Sequence, residues 1–304
     1  MKFILIAIIA LSVMACSKPA QPTLKKITIV QSAPHVLAPV RTSQVVNKSV
    51  ALEVINLTED NMIVMDQVFN DQSVTAVMLE LQKLSDKLKA KDTIYLVLSS
   101  PGGSVDAGLR LLSFAKALPQ KIKTLTLFSA SMAFQTVQEL DERLILDTGT
   151  VMSHRGSFGC KGEASGEIET CMRFTMSIFN ALEAKAAERM GMTIKAYSEL
   201  IRDEYWAYGP DAVASKAVDR MVLAKCGKGL QATKVVAVDT FFGAFNVEIS
   251  KCPLIPGYIS VQPMDQKAKQ DTGVTELYVK RMYENKREFV KEYITTNKWT
   301  QFQK

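Results

Sequence analysis

The sequence predicts an α/β fold with a parallel sheet, and two observations support this fold class. Short apolar runs of strand length alternate along the chain with segments whose apolar residues follow the period of an amphipathic helix. Strands that alternate with helices favour a parallel sheet joined by right-handed crossovers. The chain has 304 residues, of which 47% are apolar and 22% charged, enough for one sizeable globular domain with appendages.

The first residues, MKFILIAIIALSVMAC, indicate export. One Lys precedes an apolar stretch that is too short to span a bilayer comfortably, which is typical of a secretion signal. The segment from Val13 to Cys16 resembles a bacterial lipobox, which implies a signal peptide over 1–15 and a lipid on Cys16. Ser17 after the Cys favours the outer membrane of a bacterial envelope, facing the periplasm. An ordinary signal peptide with a chance Cys near its end is the alternative.

Composition divides the rest of the chain into three parts. Residues 16–45 are predicted to be a flexible tether, because four of the ten prolines lie there among Ser, Thr, Gln and Lys. Residues 46–226 form the predicted folded domain. Residues 227–304 form a C-terminal extension, either a further subdomain or a flap on the core. The net charge of +6 is spread along the chain without a basic stripe interleaved with aromatics, so nucleic acid is not an expected partner.

The elements of the folded domain follow in chain order. Apolar runs predict strands over 51–57, 93–98, 124–128, 143–146 and 151–153. Helical spacing of apolar residues predicts helices over 73–88, 104–117, 131–140 and 167–190. In the extension, the same criteria predict strands over 235–238 and 244–249 and a charged amphipathic helix over 274–293.

Four cysteines remain after Cys16, and an even number in an exported chain indicates disulfides. They are Cys160, Cys171, Cys226 and Cys252. Proximity in sequence favours pairing the first with the second and the third with the fourth, but the sequence leaves all three pairings open. A zinc site is a poor rival, because the chain has no CxxC and only two histidines. No metal or other cofactor is expected.

Three motifs at the carboxyl ends of predicted strands carry the chemistry. They are SSPGGSVDAG (99–108), FSASMAF (128–134) and VMSHRGS (151–157). Together they supply paired glycines, a serine at a helix start and a histidine. Acyl transfer needs these groups, because a serine hydroxyl requires a neighbouring imidazole to take its proton and the oxyanion requires backbone N–H donors. Ligands of open α/β sheets also gather at this edge.

These motifs resemble the proteolytic subunit of the Clp protease and its relatives in the ClpP/crotonase superfamily. In that family a strand ends in a Ser-Pro-Gly-Gly turn, the nucleophile lies in an Ala-Ser-Met segment and the base in a Met-x-His segment. The stretch YWAYGPDAVASKAVDRMV (205–222) resembles the closing stretch of the family. The resemblance covers roughly 50–225. It implies a repeated β-β-α core with a long handle-type helix, to which residues 227–304 add a C-terminal α+β extension.

The resemblance implies a role for five residues of this chain. Ser131 corresponds to the nucleophile and His154 to the general base. Gly103 or its neighbour Gly102, together with Met132, corresponds to the backbone donors of the oxyanion hole. The serine segment is one residue shorter than in the family and lacks its flanking glycines, so Ser129 competes with Ser131 as the nucleophile.

The third catalytic residue departs from the family pattern. An ungapped match places Leu200 at the family's catalytic Asp, and a leucine cannot orient an imidazole. Asp203 is the expected third residue, after a local shift of three positions. The other candidates are Glu199, Glu204 and no third carboxylate at all, in which case another acceptor must fix the histidine tautomer.

The expected function is that of an envelope serine peptidase acting on peptides or unfolded proteins. The periplasm lacks ATP, so no ATPase partner is expected. A homo-oligomer is expected, as a trimer-like or single-ring assembly, because apolar residues cover more than one face of helix 167–190. The alternatives are a signal-peptide peptidase of the superfamily with a lysine base, a crotonase-type acyl-CoA enzyme, and a catalytically inactive scaffold or interaction lipoprotein on the same fold.

Overall fold

A computed structural model describes residues 51–163, 166–240, 243–255 and 257–264, and the structural statements below concern these residues. The predicted signal peptide, the lipidation site Cys16, the tether and the predicted helix 274–293 lie outside the described residues.

Within the described residues, seven strands form one sheet that is parallel except at one strand. The strands are β1 (Val54–Leu57), β2 (Met62–Met65), β3 (Thr93–Ser100), β4 (Lys121–Ala130), β5 (Glu142–Ser153), β6 (Tyr205–Tyr208) and β7 (Arg220–Cys226). Their order is β1-β7-β5-β4-β3-β2, and the short β6 pairs antiparallel with the end of β5. The predicted α/β fold with a parallel sheet is therefore confirmed.

Helices connect the parallel strands. They are α1 (Asp71–Ser85), α2 (Val105–Ala117), α3 (Met132–Glu139), α4 (Glu167–Met190), α5 (Ile194–Leu200) and α6 (Gly209–Ala214). The long helix α4 has the bounds that the sequence predicts. Side-chain oxygens cap the starts of α1, α2 and α5, where Asn70, Ser104 and Thr193 each accept from the N–H of the third residue of the helix.

Alternating side chains of the central strands fill a core on each face of the sheet. Leu96 and Leu98 of β3 point to the face that α1, α2, α3 and α4 cover, whereas Val97 points to the opposite face. On that opposite face, Leu230 and Cys252 from the C-terminal extension complete a smaller buried cluster. The extension therefore packs against the sheet through the segments around these two residues.

A buried charge network ties β5 to the chain before β7. Arg143 is buried and forms an ion pair with Asp219, and its guanidinium also donates to the side chain of Gln138 and to the carbonyl oxygens of Lys216 and Arg189. Burial alone would raise the pKa of Asp219, but the hydrogen bonds from Arg143 outweigh it and lower this pKa. The network fixes the start of β5, whose far end carries the candidate site.

Two elements differ from the expectations for the core. The expected strands 143–146 and 151–153 are one continuous strand, β5, whose polar middle lies where the register with β4 shifts between Thr126 and Phe128. Strand β2 was not predicted, because four residues are too few for a periodicity. This segment can be recognised as a strand only from its parallel pairing with β3.

The described part of the extension is a small antiparallel sheet of β8 (Thr233–Thr240), β9 (Gly243–Ser250) and β10 (Tyr258–Pro263), preceded by a 3-10 turn over Lys228–Gln231. The predicted strands 235–238 and 244–249 lie within β8 and β9.

Two disulfides are present, Cys160–Cys171 and Cys226–Cys252, in the pairing that sequence proximity favours. The second fastens the extension to the end of β7. No helix among the described residues combines the length and apolar character needed to cross a membrane.

Candidate active site

Three neighbouring strands bring the candidate residues to one edge of the sheet. Ser131 follows the last residue of β4, His154 follows the last residue of β5, and Glu204 precedes the first residue of β6. Ala130 of β4 is the register partner of Met152 of β5, so the residues that follow these two strands emerge side by side. The N–H of Ser131 also donates to the Met152 carbonyl at 3.0 Å, which extends this pairing to the serine itself.

The Oγ atom of Ser131 and the Nε2 atom of His154 are 2.8 Å apart, which is hydrogen-bond distance. Ser131 lies at the sharp turn between β4 and α3 with φ 54° and ψ −119°. A positive φ is costly for a residue with a side chain, and such strain concentrates at functional sites. The turn presents the Ser131 hydroxyl at the start of α3, whose N-terminal dipole favours negative charge.

The competing serine, Ser129, has a different environment. Its side chain is fully buried, and its Oγ donates to Thr126 Oγ1 at 3.3 Å. Ser131 is partly exposed and faces the imidazole. Of the two serines, only Ser131 is placed to meet both a base and a substrate.

Glu204 is the carboxylate next to His154. The antiparallel register pairs Ser153 of β5 with Tyr205 of β6, and one further step in this register places His154 opposite Glu204. The Nε1–H of Trp206 donates to the Glu204 carboxylate at 3.0 Å and holds it in place. Glu204 has a positive φ of 67°, which is how the chain turns from the end of α5 into β6.

The pKa of His154 reflects this environment. Burial disfavours the charged ring and lowers the pKa below its ordinary value, while the negative charge of Glu204 and a hydrogen bond with the backbone of Arg155 oppose this decrease. The net result is a lowered pKa, which favours the neutral imidazole, the form that can accept a proton.

Asp203, the expected third residue, does not reach the histidine, and this expectation is corrected. Its side chain is 79% exposed and pairs with the guanidinium of Arg202 at 2.9 Å. Glu199 also pairs with Arg202 at 2.9 Å. The sequence places the third residue three positions after Leu200, whereas Glu204 lies four positions after it. The register of β6 brings Glu204 opposite His154 and leaves Asp203 in solvent.

The paired glycines form a loop against the start of α3. Gly102 and Gly103 have φ angles of 90° and 141°, and a Cβ on Gly102 would lie 2.6 Å from the backbone nitrogen of Met132. The N–H of Gly102 donates to Ser100 Oγ at 3.2 Å. Within the described residues, the N–H groups of Gly103 and Met132 have no acceptor, so this pair of N–H groups is available to an oxyanion.

A shallow pocket adjoins the Ser131 hydroxyl and the His154 ring. Its other lining residues are Val105, Met132, Gln135, Gly156, Phe179, Leu182 and Glu183. The pocket lies between α3, the loop after β5 and the middle of α4. Neither Gln135 nor Glu183 belongs to a recognisable motif, so no role could be assigned to either residue from the sequence alone.

Comparison with known proteins identifies the family of this chain. A family model described as Clp protease matches residues 47–224, which is more than half of the chain, and the chain therefore belongs to the Clp protease family. The chain is similar to the ATP-dependent Clp protease proteolytic subunit 1 of Bacillus cereus, with 26% identity over 171 residues, covering 55% of this chain and 86% of that relative. Membership of the Clp protease family supports the interpretation of this protein as a peptidase.

Proposed function

We propose that this protein is a serine peptidase of the bacterial cell envelope that hydrolyses peptides or unfolded proteins with Ser131 and His154. The distance of 2.8 Å between Ser131 Oγ and His154 Nε2 is the observation that carries this proposal. A hydroxyl at this distance from an imidazole with a lowered pKa can transfer its proton as it attacks a carbonyl carbon.

The reaction follows from the arrangement of these groups. Ser131 Oγ attacks the scissile carbonyl while His154 Nε2 takes the hydroxyl proton. The carbonyl oxygen becomes an oxyanion that accepts hydrogen bonds from the N–H groups of Gly103 and Met132. His154 then gives its proton to the leaving amine, and an acyl ester forms on Ser131. A water molecule, deprotonated by His154, hydrolyses this ester and restores the serine.

Glu204 acts on His154 in this scheme. During proton transfer the imidazole becomes positively charged inside a partly desolvated site, and a nearby carboxylate stabilises that charge. Trp206 holds the carboxylate through its indole N–H. The third member of the proposed triad is therefore Glu204, which the sequence left as one of several candidates.

The proposed location is the outer membrane, with a lipid on Cys16 as the anchor and the domain facing the periplasm. The signal-like N-terminus and the lipobox resemblance support this location. Two disulfides also support it, because disulfides persist in oxidising compartments. Without ATP in that compartment, the enzyme acts without an ATPase partner. Cys16→Ser should release the protein from membranes, and membrane retention of this variant would contradict the anchor.

A serine-directed fluorophosphonate probe tests the activity. We expect the wild-type protein to be labelled, and Ser131→Ala to abolish both labelling and hydrolysis of a fluorogenic peptide. Ser129→Ala is the matched control, since it removes a hydroxyl two residues away that faces Thr126, and it should leave labelling largely intact. A wild-type protein that is neither labelled nor active would instead favour an inactive scaffold.

A further inference from the structure

The pocket beside Ser131 combines apolar walls with two oxygen acceptors. Its apolar side chains are Val105, Met132, Phe179 and Leu182. Its two polar side chains away from the catalytic pair belong to Gln135 and Glu183. The same pocket is lined by Ser131 and His154, so a group bound there lies next to the bond that the serine attacks.

Gln135 provides an acceptor without a partner. Its side-chain Oε1 is buried and, among the described residues, accepts no hydrogen bond. Its Nε2 faces the Tyr197 hydroxyl at 3.5 Å, and that hydroxyl also bonds with the buried Ser153 Oγ at 2.8 Å. Tyr197 therefore fixes one end of the amide while the carbonyl end is left unsatisfied. A buried acceptor of this kind is costly unless a ligand satisfies it.

Glu183 provides the second acceptor. It projects from α4 one helical turn after Phe179, and its partly buried carboxylate forms no hydrogen bond or ion pair of its own within the described part of the chain. The guanidinium of Arg155 is near enough to act on it electrostatically but donates its hydrogen bonds to Ser198. Burial raises the pKa of Glu183, and Arg155 only partly opposes this increase. The carboxylate thus lacks a close positive partner.

We propose that this pocket binds the side chain of a lysine or arginine at the substrate residue that supplies the scissile carbonyl. This specificity rests on the proposed function of Ser131. The methylene groups of the side chain pack along Val105, Phe179 and Leu182, and its charged end donates to the oxygens of Gln135 and Glu183.

The alternatives satisfy the pocket less well. Long basic side chains bury an apolar stem and present a charged head, which matches apolar walls that carry oxygen acceptors. An apolar side chain would leave both oxygens desolvated without a donor, and an acidic side chain would be repelled by Glu183. A bound ammonium or guanidinium also lowers the pKa of Glu183, so the carboxylate is ionised in the complex.

Two peptidyl phosphonate probes that differ in one group test this specificity. Both react with the serine nucleophile. At the residue that carries the phosphonate, one probe has the side chain of lysine and the other that of norleucine, which has a similar length and no ammonium. With the full-length protein in detergent, we expect the lysine probe to label Ser131 about tenfold faster than the norleucine probe. Glu183→Gln should remove most of this preference, as the ratio of the two labelling rates, and circular dichroism of the variant checks that it is folded.

Glu188→Gln is the matched control, because Glu188 lies on the same helix but pairs with Lys185 outside the pocket. It should keep the wild-type preference. Equal labelling by the two probes, faster labelling by the norleucine probe, or an unchanged preference in Glu183→Gln would each overturn the specificity and leave the peptidase proposal standing. Failure of both probes to label the wild-type protein would instead overturn the proposed function, and the specificity with it.

Discussion

His154 Nε2 lies 2.8 Å from Ser131 Oγ although 23 positions separate the two residues in the chain. The contact follows from the sheet, since Ala130 and Met152 are paired in parallel register and each candidate residue comes just after that pair. Antiparallel pairing of β6 with β5 brings Glu204 opposite His154, near enough for its charge to act on the imidazole. Three strands thus bring the three residues to one edge of the sheet, which places the chemistry on a rigid scaffold.

The labelling rate should fall at acid pH with a midpoint below pH 6.5, which is the ordinary pKa of a histidine. Only neutral His154 can take the serine proton, and its pKa is lowered because burial outweighs Glu204 and the Arg155 backbone. Glu204→Gln removes one of the opposing contributions, so the pKa falls further and the midpoint moves to lower pH. The rate at neutral pH should also fall by about tenfold or more, because the imidazolium loses its carboxylate. Labelling rates measured from pH 4 to pH 9 give both effects.

Asp203→Asn is the control for this experiment. Asp203 is one residue from Glu204 but pairs with Arg202 in solvent, so the profile and the rate should match those of the wild type. A shift of the midpoint to higher pH in Glu204→Gln, or a large loss of rate in Asp203→Asn, would assign the third position to a different residue.

Gly103→Ala should reduce hydrolysis by about 100-fold or more, which is typical of the loss of an oxyanion donor. Gly103 has φ 141°, and a Cβ on it would lie 2.5 Å from the Phe69 carbonyl oxygen, so the loop must move and its N–H with it. Gly159→Ala is the control, since no atom lies within 4 Å of a Cβ at that glycine. Circular dichroism and peptide hydrolysis of both variants separate a local change from unfolding. A fully active Gly103→Ala enzyme would exclude Gly103 from the oxyanion hole.

The positions of Ser131 and His154 could be predicted because each depends on a strand and the turn that follows it. An apolar run ending in a small-residue turn is a local pattern, and parallel strands place such turns at one edge. The bounds of α4 could be predicted for a similar reason, since helical periodicity extends over the whole segment.

The position of Glu204 could not be predicted by spacing. It depends on the antiparallel pairing of a four-residue strand with the end of β5, which is a tertiary contact without a local signal. The pattern of exposed Tyr208 and Trp206 with buried Ala207 and Tyr205 indicates a strand only once its partner is known. The pocket residues Gln135 and Glu183 were missed for the same reason, because their proximity results from the packing of α3 against α4.

The two disulfides should have different effects when removed. Cys160–Cys171 ties the loop after His154 to the start of α4, so Cys160→Ser with Cys171→Ser should slow labelling of Ser131.

Cys226–Cys252 closes a sequence separation of 26 residues and holds the extension on the sheet. Its removal should cost about 3 kcal/mol, or roughly 6–12 °C in Tm, with little change in labelling rate.

Mass spectrometry of protein isolated from the envelope provides the matching check on the disulfides. It should find the peptides that contain Cys160 and Cys171 cross-linked, and likewise those that contain Cys226 and Cys252. Four free thiols in that material, or equal effects of the two double substitutions on labelling, would contradict this assignment.

The exposed apolar side chains near the start of α4 should form the contact between copies of this chain. Met172, Phe174 and Met176 are 48%, 65% and 42% exposed, whereas Leu182 and Ala186 further along the helix are buried in the core. Met172 and Met176 lie on one side of the helix and Phe174 on the other, so the core can cover only one of these two sides. The Cys160–Cys171 disulfide joins the loop after His154 to this part of α4. We expect a homo-oligomer of trimer-like or single-ring size when detergent-solubilised protein is measured by light scattering.

Phe174→Glu tests this contact. Placing a charge at the most exposed apolar position of the helix should shift the protein to monomers, because an unpaired carboxylate is costly to bury in an interface. Leu79→Glu is the control: Leu79 is 57% exposed on α1, so it carries the same change in a comparable environment on another helix, and it should leave the assembly intact. A wild-type protein that is monomeric at micromolar concentration with full activity would refute the prediction. The C-terminal extension would then have to cover these side chains, and deletion of residues 227–304 should expose them.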